Sequence, residues 1–139
     1  MSNHLPANSI NSCVEKCEKC INSCQKLMSL CEVKSSQDCA EQVGNCIKAC
    51  QECVSVCNKT IKEIESHIKD CSQCTDHRNA LKDCVDACNK QIDALNNAQQ
   101  ELPSNISGIN YRADVNELVN ATRKCIDKCN ECIKACTNK

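Results

Sequence analysis

The sequence predicts an all-α protein, an up-down-up-down antiparallel four-helix bundle with a cysteine-lined core. Three observations predict it. Gly and Pro are nearly absent: only Pro6, Gly44, Pro103 and Gly108 interrupt 139 residues, and long stretches without breakers favour helix. The pattern C-x3-C-x2-C-x3-C occurs three times, at Cys13, Cys17, Cys20, Cys24, then at Cys46, Cys50, Cys53, Cys57, and again at Cys125, Cys129, Cys132, Cys136. Its 4-3-4 spacing is that of the inner seam of a helix packed against others. Finally, 18 residues are cysteine, whereas Leu, Ile and Val total 26 and Phe and Trp are missing. So few aliphatics do not fill an ordinary core, and the missing volume must come from cysteine or from what cysteine binds.

The elements follow in order. The first helix spans roughly residues 9–33, after Pro6, with Asn8 and Ser9 as N-cap candidates. It carries the first cysteine tetrad and Cys31. A polar stretch, Lys34 to Gln37, makes a short turn. The second helix, roughly 36–65, carries Cys39 and the second tetrad. The third, roughly 67–101, has Ser66 as its N-cap and carries His67, Cys71, Cys74, His77, Cys84 and Cys88. Pro103 to Gly108 is the clearest loop. The fourth helix, roughly 112–138, carries the last tetrad. The whole chain, 1–139, reads as one domain. Lys, Glu, Asp, Gln and Asn fill the outer positions between the cysteines.

Cysteine register sets how the helices align. Folding about residue 35 puts Cys24 level with Cys46, Cys20 with Cys50, Cys17 with Cys53, and Cys13 with Cys57. Folding across the Pro103–Gly108 loop puts Cys88 level with Cys125 and Cys84 with Cys129. A turn near Ser66 then aligns all four helices in layers: Cys24, Cys46, Cys88, Cys125; then Cys20, Cys50, Cys84, Cys129; then Cys17, Cys53, Leu81, Cys132; then Cys13, Cys57, His77, Cys136. Leu27, Met28, Val43, Ile92, Leu95, Val115 and Leu118 close one end. The opposite end, with His67, Cys71, Cys74 and His77, lacks comparable apolar residues and reads as a mouth.

Thiols three and four residues apart on a helix share a face and can clasp one ion without backbone change. Soft thiolates select Cu(I), Zn(II) or iron–sulfur clusters. Structural Zn(II) sites want four ligands and use loop knuckles, and iron–sulfur cysteines sit mostly in loop runs. Cu(I) is satisfied by two or three thiolates and suits straight helices best. Eighteen buried thiolates are intolerable uncompensated, so many monovalent ions, near one per thiolate, restore neutrality. Without metal, the protonated thiols pack as small hydrophobes, and the bundle folds before it fills. All 18 cysteines, with His67 and His77, are therefore candidate ligands of multiple Cu(I) ions. The alternatives are a Zn/Cd-sequestering protein of metallothionein type and a thiol redox sensor.

Other classes are excluded. With 17 basic and 18 acidic residues the net charge is −1, which offers no strongly basic face for nucleic acid. No apolar run is long enough to cross a membrane. The first twelve residues have neither the basic nor the apolar region of a signal peptide, which predicts a cytoplasmic protein with reduced thiols. No catalytic constellation stands out, so no enzyme activity is predicted.

The repeated tetrads, with His67-x3-Cys71-x2-Cys74 opening the third helix, closely resemble the bacterial copper storage protein family over about residues 9 to 138. The resemblance implies a four-helix bundle that holds many Cu(I) ions on core thiolates, with histidines near its open end, and assembly as a homotetramer. It implies a cytosolic store, with copper ions and a copper chaperone or copper-requiring enzyme as partners. This chain departs from the family in its third helix, where Arg78 and Leu81 stand in place of further cysteines.

Overall fold

A computed structural model describes the backbone of residues 7–33, 36–66, 72–101 and 109–137, and the side chains of residues 8–29, 41–66, 74–97 and 117–137. All regular structure among the described residues is helical: α1 (Ala7–Val33), α2 (Ser36–Ser66), α3 (Ser72–Glu101) and α4 (Ile109–Thr137). Each helix packs against two neighbours, α1 on α2 and α4, and α3 on α2 and α4. The result is the predicted four-helix bundle. No helix among the described residues is long and apolar enough to cross a membrane.

The seam spacing read from the sequence explains the packing. One stripe of each helix points inward, and on those stripes the small thiols let four helices meet around a common axis. Polar residues between the stripes pair across the outside, as Lys16 does with Glu52 at 3.1 Å and Lys82 with Glu65 at 3.5 Å.

Within each hairpin the register is the predicted one. Cys13 faces Cys57 (Sγ–Sγ 3.0 Å), Cys17 faces Cys53 (3.6 Å), Cys20 faces Cys50 (3.4 Å) and Cys24 faces Cys46 (3.4 Å). On the other side Cys84 faces Cys129 (3.6 Å) and Cys88 faces Cys125 (3.7 Å). His77 Nε2 lies 3.0 Å from Cys136 Sγ.

Between the hairpins the predicted layers are displaced by one rung. Cys125 lies 3.7 Å from Cys20, Cys84 lies 3.9 Å from Cys17 and 4.0 Å from Cys53, and Cys132 lies 3.8 Å from Cys13. The Cys88–Cys125 rung thus sits with Cys20–Cys50, and the Cys84–Cys129 rung sits with Cys17–Cys53. Leu81 and Cys132 follow in register beside Cys13–Cys57. Ser66 is not the N-cap of α3. It belongs to α2, its hydroxyl donating to the Glu63 carbonyl at 2.7 Å, and α3 is described from Ser72. Ser9, expected as an N-cap candidate, lies inside α1, and its hydroxyl donates to the Glu63 carboxylate at 2.8 Å.

Leu27, Val43, Leu95 and Leu118 are buried and close one end as predicted, whereas Met28 and Ile92 are half-buried and lie at its margin. The opposite end is not bare of apolar side chains. Ile64 is fully buried, and Ile10 and Ile61 are buried as well. These follow the α1 and α2 stripes beyond the Cys13–Cys57 rung and cover that side of the interior. The side chains of Cys31, Cys39, His67, Cys71 and Val115, and the Pro103–Gly108 segment, lie outside the described residues.

Candidate metal centre

The centre is a column of sulfur. Fourteen described cysteines are free thiols, and thirteen of them are buried: Cys13, Cys17, Cys20, Cys24, Cys46, Cys50, Cys53, Cys57, Cys84, Cys88, Cys125, Cys129 and Cys132. Cys136 is half-buried and is the one of these that reaches solvent. Cys74 is buried but disulfide-bonded, so it offers no thiolate until reduced.

Four groups of four sulfurs lie close enough to hold an ion, with all Sγ atoms of a group within 4.8 Å of one another. They are Cys13, Cys17, Cys57, Cys132; Cys17, Cys53, Cys84, Cys129; Cys20, Cys53, Cys88, Cys129; and Cys20, Cys24, Cys50, Cys125. Cys17, Cys20, Cys53 and Cys129 each belong to two groups. The groups are therefore links of one chain, and a sulfur at each junction would bridge neighbouring ions.

The protons of the column are interdependent. A thiolate here is stabilised by S–H groups donated from its neighbours, and a thiol that donates holds its own proton more firmly. Cys20 is driven far below an ordinary thiol, chiefly by a hydrogen bond with Cys125 and then with Cys129. Cys129 and Cys50 are driven far above, each chiefly through hydrogen bonding with Cys125. Cys46 is lowered to about 5, first by Cys24, then by Cys50, with a smaller contribution from the Gln91 amide. Cys136, at the edge, is raised to about 12, chiefly by its hydrogen bond with Cys13. Soft cations entering such a column displace protons, so uptake is coupled to proton release.

His77 is buried, and desolvation lowers its pKa from the ordinary histidine value, partly offset by the charge of Cys13. It is held neutral, the form that ligates a metal. With Cys136 it stands at the edge of the column, one rung beyond Cys13 and Cys57. Of the proposed entry group His67, Cys71, Cys74 and His77, the described side chains bring His77 to the thiols and show Cys74 oxidised.

Two polar residues at the closed end were not singled out from the sequence. Gln91 and Thr122 are fully buried. Gln91 Nε2 donates to Thr122 Oγ1 at 2.7 Å, and the Thr122 hydroxyl donates to the Leu118 carbonyl at 2.6 Å. Gln91 Nε2 also lies 3.9 Å from both Cys24 Sγ and Cys46 Sγ. The signal that would have found them is the stripe itself. Leu81, Cys84, Cys88, Gln91, Leu95 and Leu118, Thr122, Cys125, Cys129 keep the 3-4 spacing without a break.

No protein-family model matches the chain, and no curated protein and no solved structure matches it either. The fold and the sulfur column define a cysteine-rich helical bundle with several candidate metal sites.

Proposed function

We propose that the protein is a copper store, taking up many Cu(I) ions on the thiolates inside its bundle and serving copper sequestration and homeostasis without being an enzyme. The observation that carries this reading is the sharing of sulfurs between adjacent four-sulfur groups. Shared sulfurs suit many ions of low charge and low coordination number, since each Cu(I) neutralises one thiolate and needs only two or three. The resemblance of the tetrads to the bacterial copper storage proteins supports the same reading. It further suggests a cytoplasmic protein, assembly as a homotetramer, and exchange with a copper chaperone or a copper-requiring enzyme.

Cys136 with His77 is the proposed point of entry, since Cys136 is the partly exposed free thiol among the described residues and Ile10, Ile61 and Ile64 cover the neighbouring side. A second reading, Zn(II) or Cd(II) sequestration, has a specific observation in its favour. Four sulfurs within 4.8 Å also suit a tetrahedral divalent ion. A thiol sensor fits poorly with Cys136, the one partly exposed free thiol among the described residues, whose pKa is raised and not lowered.

The test is an anaerobic titration of reduced protein with Cu(I), and separately with Zn(II), followed by metal analysis after gel filtration. Storage predicts a Cu(I) count on the order of one per cysteine. Saturation at one or two Cu(I), or a Zn(II) complex that Cu(I) fails to displace, would overturn it.

A further inference from the structure

Cys46 stands apart among the buried thiols. It lies 3.4 Å from Cys24, yet it belongs to none of the four-sulfur groups. Where the other hairpin would supply two more sulfurs, it supplies Gln91 and Thr122. The hydrogen-bond chain fixes which way the amide faces. One N–H of Gln91 goes to Thr122, whose own hydroxyl is spent on the Leu118 carbonyl. The donor end of the amide is thereby held 3.9 Å from both sulfurs of the rung. The Gln91 Oε1 atom is buried without a partner among the described residues. An unpartnered buried carbonyl destabilises the fold, which a leucine at this place would avoid. Packing alone does not account for the amide. Its N–H groups do, because they favour negative charge on sulfur and offer nothing to a cation.

We infer that Gln91 turns the last rung of the column, Cys24 with Cys46, into a two-sulfur terminal site that takes a closed-shell monovalent ion such as Cu(I) in linear coordination and refuses a tetrahedral divalent ion. This rests on the reading of the column as a metal store. Two thiolates and one monovalent ion leave one negative charge, which the amide donor offsets. A divalent ion needs two further ligands, and from the other hairpin the rung is met only by a donor N–H and a hydroxyl already committed to a carbonyl. Cys24 can still serve the group it shares with Cys20, Cys50 and Cys125, whereas Cys46 belongs to none of these groups and has only Cys50, one turn along α2, as a further sulfur neighbour. Gln91 is thus a positioning residue that sets specificity through the sulfurs it faces.

The experiment counts bound ions by native mass spectrometry on reduced wild type, Cys46→Ala, Gln91→Leu and Gln91→Cys, each loaded with Cu(I) and separately with Cd(II). Cys46→Ala should lose at least one Cu(I) and no Cd(II). Gln91→Leu should keep the Cd(II) count and hold one Cu(I) about tenfold or more weakly against a chelator, the usual size of an outer-shell effect. Gln91→Cys supplies a third sulfur to the rung and should gain one Cd(II). A Cys46→Ala protein that loses Cd(II), a Gln91→Leu protein with unchanged Cu(I) retention, or a Gln91→Cys protein that gains no Cd(II) would overturn the inference while leaving the store intact. A wild type that accumulates neither ion would overturn both, and the wild-type spectra alone show it.

Discussion

Leu81 is fully buried on the α3 stripe, one turn from Cys84, and in register it completes the rung that holds Cys13, Cys57 and Cys132. Three sulfurs there already join Cys17 in a group, so Leu81 acts as a spacer of ordinary apolar character in a column otherwise made of thiols. Two substitutions separate its roles. Leu81→Ala leaves a cavity and should destabilise the metal-free protein by about 2–5 kcal/mol in urea unfolding. Leu81→Cys adds a sulfur, and metal analysis should show capacity rising by about one Cu(I) ion per added thiolate. His77 is argued differently. Its neutral ring, 3.0 Å from Cys136, can receive an ion at the edge and pass it to Cys13. His77→Ala should slow Cu(I) uptake and its removal by a chelator in stopped-flow absorbance, while total capacity falls by no more than an ion or two. Wild-type rates in that variant would mean the histidine only fills space. At this scale the cysteines were legible because their repetition is unmistakable, and His77 because it shares their spacing. Gln91, Thr122 and Thr60 were not, although each keeps the stripe, because a polar side chain at a seam position is readily taken for an outward one. The hydrogen bond of Thr60 to the Val56 carbonyl at 2.9 Å shows how such a residue is reconciled with full burial.

Helix ends decide more than their length suggests. The spans of α1, α2 and α4 lie within about three residues of those read from breakers and caps, an ordinary tolerance. α3 is described from Ser72, and residues 67–71, where the sequence puts its first turn, lie outside the described residues. The α3–α4 hairpin sits one rung from the expected register, which exchanges the partners of the thiols between hairpins. Spacing within a stripe is periodic, so it fixes pairing only modulo one rung. The connection must fix the rest, and between Ser66 and Ser72 no Gly or Pro marks the turn. Capping chemistry pointed to Ser66, yet a serine at a helix end can equally return its hydroxyl to the preceding turn, as this one does. A further consequence belongs to α2. Gly44 lies in its interior, and a Cβ added there would meet nothing within 4 Å. Gly44→Ala should therefore stabilise the metal-free protein by about 0.5–1 kcal/mol, through the lower entropy of the unfolded chain and the better helix propensity of alanine. A lower urea midpoint for this variant would mean that the position is in contact with something beyond the described residues.

Across the whole molecule, the proposed store requires an interior that serves two states. Empty, it is a dry stack of thiols between Leu27, Val43, Leu95 and Leu118 at one end and Ile10, Ile61 and Ile64 at the other. Protonated thiols bury as small apolar groups and hydrogen-bond the thiolates among them, so helicity should not wait for metal. Far-UV circular dichroism of reduced, metal-free protein should show a mostly helical spectrum that copper barely changes. A coil spectrum that turns helical only with metal would favour the metallothionein-like alternative, in which binding free energy is folding free energy. The two states should part company in alkali. Cys17, Cys24, Cys50, Cys57, Cys88, Cys129, Cys132 and Cys136 all hold their protons above the ordinary thiol value of 9.0. A group whose pKa is raised by folding contributes stability that is fully present below its unfolded value and is lost as pH climbs beyond it. Cys13, Cys20, Cys46, Cys53, Cys84 and Cys125 are lowered, so their contribution is already complete at that pH and does not change above it. The net slope for the thiols above the ordinary value is therefore downward. Melting temperatures of the metal-free protein should fall as pH rises above about 9. The copper-loaded protein has no thiol protons left to lose and should hold its melting temperature over the same interval. Parallel curves for the two states would mean that lysines and surface charge, shared by both, control the alkaline limit, and that the column does not keep its protons in the empty fold.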